Sequence, residues 1–185
     1  MRPHLARAMT DLAHDVRAAL RAYPDFPKPG ILFQDIGPIL ANAPLFARTV
    51  DAMAAPHIGP DSTPIDAVVG IEARGFLFGA ALAERLHAAF VPARKAGKLP
   101  GHVHSESYDL EYGKATLELQ HDALHPSQRV LIVDDVLATG GTAAATARLV
   151  AQTGATLAGY AFVLEIDGLG GRDRLGESAG VITRA

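Results

Sequence analysis

The sequence predicts an α/β fold with a mainly parallel central sheet flanked by helices. Short apolar runs at 65–71, 129–133 and 157–166 read as buried strands. Helical patterns separate them, after Glu72-Ala73-Arg74-Gly75 and after Thr142. With 185 residues, 49% apolar and 20% charged, the chain has the length and composition of one globular domain with a real core.

Each element follows in order. Leu12, Val16 and Leu20 share a helical face, with Thr10 or Asp11 as the expected cap, in a helix that ends before Pro24. Three prolines between Pro24 and Pro29 exclude helix from the stretch Tyr23–Gly30. A second helix is predicted after Asn42, from Pro44 to about His57, with proline at an early helical position. Ile65–Ile71 is a strand, 72–75 a loop, Phe76–His87 an apolar helix and Ala89–Val91 a further strand. Lys114–Gln120 alternates as a half-exposed strand does. The run 129–133 is another strand, Thr142 to about Gln152 a helix, and Leu157–Ile166 a strand. A short helix and a last strand follow Asp167. Arg94–Tyr112 lacks a clean period and reads as a long irregular loop, of a length that is usually functional.

Composition excludes several function classes. Net charge is −3, which disfavours a broad basic face for nucleic acid. The chain has no cysteine, so disulfides, thiolate metal sites and cysteine nucleophiles are absent. The opening Met1–Leu5 does not read as a secretory signal, and the apolar stretch Gly75–Ala83 is too short to span a bilayer. A soluble, cytoplasmic protein is expected. His102 and His104 alternate in the irregular segment and read as solvated side chains rather than a metal pair.

The most informative stretch runs from Val130 to Thr142, Val-Leu-Ile-Val-Asp-Asp-Val-Leu-Ala-Thr-Gly-Gly-Thr. A buried strand ends in two carboxylates, followed by a turn of small residues and a helix. Ligands of open α/β sheets bind at such strand ends. Gly140 and Gly141 allow close backbone approach, the helix start offers free amides, and Thr139 and Thr142 add hydroxyls. Asp134 and Asp135 repel phosphate but suit sugar hydroxyls or a magnesium ion. A phosphate cradle beside hydroxyl-binding carboxylates describes a ribose 5-phosphate site. No lysine follows the second glycine, so this is not a Walker loop, and the spacing is not that of a dinucleotide fingerprint.

This string resembles the phosphoribosyl diphosphate (PRPP) motif of type I phosphoribosyltransferases. Phe26–Ile36, Glu72–Gly79, Arg94–Pro100 and Ser107–Gly113 narrow the resemblance to the adenine phosphoribosyltransferases, in the same order along the chain, from about Tyr23 to Asp167. The resemblance implies a type I phosphoribosyltransferase fold with an N-terminal hood at about 23–37 and a mobile catalytic loop at about 94–112. The implied reaction joins adenine and PRPP to give AMP and diphosphate, with Mg2+ as cofactor and a homodimer as the assembly.

The resemblance also distributes roles. Ala138, Thr139, Gly140, Gly141 and Thr142 would hold the 5-phosphate, with Asp134 and Asp135 at the ribose and magnesium. Glu72, Ala73, Arg74 and Gly75 would form the diphosphate loop, in which the family has a non-proline cis peptide. Arg94, Lys95 and Lys98 would add cations to the diphosphate, the arginine reaching toward a neighbouring subunit. Leu32, Phe33 and Gln34 would contact the adenine, and Glu111 and Tyr112 would be catalytic. Two departures bear on the base. Ala138 stands where relatives acting on 6-oxopurines carry an acid, which favours adenine. Gln34 stands where the family usually has arginine.

Overall fold

The computed structural model describes residues 3–109, 114–176 and 178–185. Helix α1 spans Pro3–Ala19 and begins ahead of the expected cap, so Thr10 and Asp11 lie inside it. Pro3 explains the early start, because proline at the first helical position loses no useful N–H. Leu12 and Val16 are buried on one face as the spacing requires.

Strands β1 (Arg21–Pro24) and β2 (Leu32–Asp35) pair antiparallel, with Tyr23 opposite Phe33 and Ala22 opposite Gln34. The proline-rich segment is thus the turn of a hairpin. Asp25 Oδ1 accepts the Gly30 amide at 2.7 Å, and the Phe26–Pro27 bond is cis. Helix α2 (Gly37–Ala41) leads to α3 (Ala43–Ala54), where Asn42 Oδ1 caps by accepting the Leu45 amide at 3.1 Å. A 3-10 turn at Ala55–His57 completes that predicted helix.

The remaining elements are β3 (Ala67–Ile71), α4 (Gly75–Leu86), β4 (Ala89–Lys95), β5 (Val103–Asp109), β6 (Lys114–Gln120), β7 (Arg129–Leu137), α5 (Gly141–Gln152), β8 (Thr156–Glu165), α6 (Gly171–Leu175) and β9 (Ala179–Arg184). Among the described residues they build a seven-stranded sheet ordered β5-β6-β4-β3-β7-β8-β9. From β4 to β9 the neighbours are parallel, while β6 and β5 are added antiparallel at one edge.

The expected loop at 94–112 needs correction. β4 runs to Lys95, and β5 pairs with β6 from Val103 opposite Gln120 to Asp109 opposite Lys114. Local sequence hid this strand because β5 sits at the sheet edge, where one face is exposed (Ser105, Ser107) and the partly buried face carries the polar His104 and Glu106, so no apolar alternation marks it. Among the described residues the irregular stretch shrinks to 96–102, turned at Gly97 (φ +79°) and Gly101 (φ +77°), and the end of the predicted loop lies outside them. A second correction concerns β7, which continues through Asp134 and Asp135 to Leu137 instead of ending at the carboxylates.

Period-two alternation splits the core into two layers. Val68, Leu131, Val133, Ala161 and Val163 face the layer of α1–α4, including Phe78 and Leu82 of α4. Val69, Val130, Ile132 and Phe162 face Leu149 and Val150 of α5. Both starts that matter for the site, those of α4 and α5, therefore lie at the carboxyl ends of the central strands β3 and β7.

Candidate active site

Gly140 turns the chain from β7 into α5 with φ +73° and no side-chain cap. The first amides of α5 have no acceptor one turn back within the helix and point at the loop mouth. A pocket of about 70 Å3 lies there, lined by Asp134, Ala138, Thr139, Gly140, Gly141 and Thr142. The structure thus brings together the whole predicted cradle.

The two carboxylates separate. Asp134 lines that pocket, and its Oδ1 accepts the Asp135 amide at 2.9 Å. Asp135 is 2% exposed and turns to Arg74, whose Nε lies 2.9 Å from its Oδ2. Burial and the neighbouring Asp135 charge hold the Asp134 carboxyl well above its ordinary range. Burial also raises Asp135, with Arg74 pulling the other way.

Gly75 opens α4 pressed against β7. A Cβ there would meet the Val133 carbonyl oxygen at 2.7 Å and Asp134 Oδ1 at 3.0 Å. Only glycine allows the loop 72–75 to lie this close to the carboxylates. The Glu72–Ala73 bond is cis, as the resemblance implied. Glu72 binds the cation segment: it accepts Lys98 Nζ at 2.6 Å, Arg94 Nε at 3.3 Å and the Lys95 amide at 3.0 Å. These contacts, the Lys98 bond first, hold its carboxyl down at about 2. Glu72, Arg94 and Lys98 therefore form one cluster, while the Lys95 side chain is exposed.

Arg74 faces the hood. Its guanidinium carbon lies 5.1 Å from the Phe33 ring centroid, and Phe26 packs edge-on against Phe33 at 5.2 Å. Buried Nη1 of Arg74 has no hydrogen-bond partner among the described residues. A second pocket, of about 430 Å3, opens here between hood and sheet, lined by Leu32, Phe33, Gln34, Arg74, Val136 and Ala138, with Ile166 and Leu169 opposite. Val136 and Ala138 line both pockets, so the cradle and the hood pocket adjoin. Glu111 and Tyr112 lie outside the described residues.

Sequence reasoning missed three contributors. Ile166 and Leu169 wall the hood pocket, and Gly171 is a wedge under the cradle. A Cβ on Gly171 would collide with the Ala138 carbonyl oxygen and come within 2.8 Å of the Leu137 side chain. The signal was present in Gly168-Leu-Gly-Gly171, but its partner lies more than thirty positions away and nothing local points to it.

A parallel sheet with a phosphate-sized cradle at one strand end and an apolar hood pocket beside it defines a class of enzyme that handles a phosphorylated sugar joined to a flat ring. Comparison with known proteins agrees. The phosphoribosyl transferase domain family matches residues 39–176. A curated adenine phosphoribosyltransferase of Myxococcus xanthus is 56% identical over 167 residues, covering 90% of this chain and 89% of that protein. The crystal structure of the adenine phosphoribosyltransferase of Rhodothermus marinus superposes with a TM-score of 0.88 at 46% identity, covering 97% of this chain and 99% of that one. The Saccharomyces cerevisiae enzyme, solved with an imino-altritol bisphosphate and adenine, gives 0.85 at 44% identity, over 94% and 99%. The chain belongs to the adenine phosphoribosyltransferase family.

Two predictions test the architecture. Gly171→Ala lowers stability by about 1–3 kcal/mol in urea unfolding, the cost of overpacking a filled site; an unchanged midpoint would mean that α6 does not press on the cradle. Glu72→Gln lowers the melting temperature at pH 7 by about 2–4 °C. A depressed carboxyl stabilises the fold above its unfolded value and loses that effect as pH falls through its folded one. The difference between variant and wild type therefore closes as pH falls from about 4.5 toward 2; a difference constant with pH would exclude the ion cluster as its source.

Proposed function

We infer that this chain transfers the 5-phosphoribosyl group from PRPP to adenine, giving AMP and diphosphate in purine salvage. The adjoining pockets carry this reading. A phosphate in the cradle and a purine under Phe33 leave the ribose beside Asp134, which is the layout of AMP.

The geometry supports a role for each described site residue. Free amides at the start of α5, with the Thr139 and Thr142 hydroxyls, hold the 5-phosphate. Asp134 accepts from the ribose hydroxyls. Phe33 stacks on the base from the hood, Leu32 and Gln34 border its edge, and Arg74 lines the pocket beside it. Loop 72–75 and the Arg94–Lys98 cluster face the leaving diphosphate. An incoming diphosphate competes with Glu72 for Arg94 and Lys98, and Lys95 adds a third cation. The base nitrogen bonds to the anomeric carbon as the bond to diphosphate breaks, and the proton on that nitrogen passes to a base. Glu111 is our candidate for that base, and Tyr112, the next residue in sequence, for a second catalytic group. Because charge leaves on diphosphate, preorganised cations rather than a protein nucleophile lower the barrier.

Magnesium fits the donor set. A partly exposed carboxylate whose charge is disfavoured by burial and a like neighbour gains from a dication, and magnesium is held by one or two carboxylates plus substrate oxygens. When bound it would neutralise diphosphate charge and orient it as a Lewis acid. Asp134, and to a lesser degree Asp135, would hold it. No helix among the described residues is long and apolar enough to cross a membrane. We place the enzyme in the cytoplasm, as a homodimer whose hood surface (Tyr23, Phe26 and Leu32, all exposed) offers apolar area to a second copy.

A base panel tests the reading. With PRPP and magnesium, adenine yields AMP, while hypoxanthine, guanine and xanthine yield no nucleotide; turnover of a 6-oxopurine instead would overturn the adenine assignment. Asp134→Asn lowers kcat/KM at least about 100-fold. The same substitution raises the melting temperature of the ligand-free protein at pH 8. A carboxyl raised above its unfolded value opposes folding once ionised, and the amide removes that charge while its oxygen can still accept the Asp135 amide. Near-normal turnover would take Asp134 out of the ribose site.

A further inference from the structure

Behind α6, at the carboxyl ends of β8 and β9, lies an open cavity of about 370 Å3 that shares no residue with the two pockets above. Arg17 of α1, Arg172 of α6 and Arg184 of β9 line it, together with Thr183. Among the described residues the one carboxylate paired with these arginines is Glu165, whose side chain is 9% exposed.

Glu165 fixes two of the three guanidiniums. Its Oε2 accepts Arg172 Nη2 at 2.7 Å and Nε at 3.1 Å, and lies 3.1 Å from Arg184 Nε. Arg172 Nη1 donates to the Ala179 carbonyl at 2.9 Å. The terminal nitrogens of Arg184 have no partner among the described residues, and that side chain is 53% exposed. Among the described residues Arg17 donates to the Thr183 hydroxyl, at 3.5 Å. Three cations thus converge on one concavity against one carboxylate, and two positive charges remain. The buried carboxylate holds Arg172 in place and orients Arg184 through its Nε, leaving the outer N–H groups of Arg184 turned from it, which is how a preorganised anion site is built.

We propose that this cavity is a second anion site, separate from the catalytic pocket, that takes a phosphate dianion, free or as a small monoester. A dianion matches the two uncompensated charges, and its several acceptor oxygens match guanidiniums approaching from three elements. A monocarboxylate would leave one charge and most of the donors unmet. The site stands where its occupancy can be felt. Arg172 belongs to α6, and the first residue of α6 is Gly171, the wedge under Ala138 and Gly140.

Calorimetric titration of inorganic phosphate into protein holding one equivalent of PRPP per chain with magnesium, with no free PRPP and no base present, tests this. We expect one phosphate per chain, with an affinity that falls as ionic strength rises. Arg17→Gln with Arg184→Gln weakens it at least tenfold and leaves PRPP binding unchanged; Arg17→Gln alone, which does not touch the Glu165 cluster, weakens it in the same direction. A parallel titration with glycerol phosphate separates the sources: equal binding identifies a monoester site, and binding of phosphate alone identifies a free-ion site. No heat beyond dilution, or heat that is the same in wild type and double variant, would overturn the proposal. Failure of the active-site reading would appear as absent PRPP binding, and the difference between wild type and variant would still be measurable without PRPP.

Discussion

Arg74 and Asp135 meet at 2.9 Å where three parts of the site converge. Asp135 belongs to β7, Arg74 to the turn that starts α4, and the Arg74 guanidinium lies over Phe33 of the hood. A carboxylate as buried as Asp135 is costly unless a cation faces it, and removing one partner of such a pair typically costs about 3–5 kcal/mol. The contact also fixes which way Arg74 points. With Nε toward Asp135, the guanidinium lies over the Phe33 ring, and its buried Nη1 has no hydrogen-bond partner among the described residues. A loop, a strand and a hairpin far apart in sequence are thereby held to one geometry.

Close backbone packing makes that geometry possible. Gly75 lets the start of α4 lie against Val133 and Asp134, and Gly171 lets α6 lie against Ala138. Both positions support the end of β7 from opposite sides, so the cradle at Ala138–Thr142 is not a free loop. Its amides are held in place before any phosphate arrives, which is what electrostatic preorganisation requires. Glu72 does the same for Arg94 and Lys98, keeping two cations together that would otherwise repel.

The central strands were legible in the sequence because burial on both faces gives continuous apolar runs, and the cradle was legible because its chemistry is local, with strand, acids, glycines and helix in thirteen successive residues. The hairpin of the hood was read only as non-helical, since its pairing of Tyr23 with Phe33 spans a proline-rich turn whose geometry depends on Asp25 and Gly30. β5 was missed because an edge strand takes its order from β6 and not from its own pattern. The divergence of Asp134 and Asp135 follows from the period of a strand, yet it was hidden by placing the end of β7 before them. Ile166, Leu169 and Gly171 were beyond reach because their partners come from tertiary packing alone.

The electrostatics of the hood pocket bear on the choice of base. Arg74 is the one cation lining it among the described residues, and Asp135 already balances that charge. Gln34 adds a neutral amide and Ala138 a methyl group. A neutral, flat, largely apolar base loses little by entering such a pocket, provided its edge nitrogens find donors and acceptors in the hood backbone and the Gln34 amide. An arginine in place of Gln34 would bring a second, unbalanced cation beside the same ring, and an acid in place of Ala138 would bring an unpaired carboxylate between base and phosphate. Near-neutrality in the hood pocket, set against dense charge at the cradle and the Glu72 cluster, suits the proposed pairing of an uncharged purine with a highly charged sugar diphosphate.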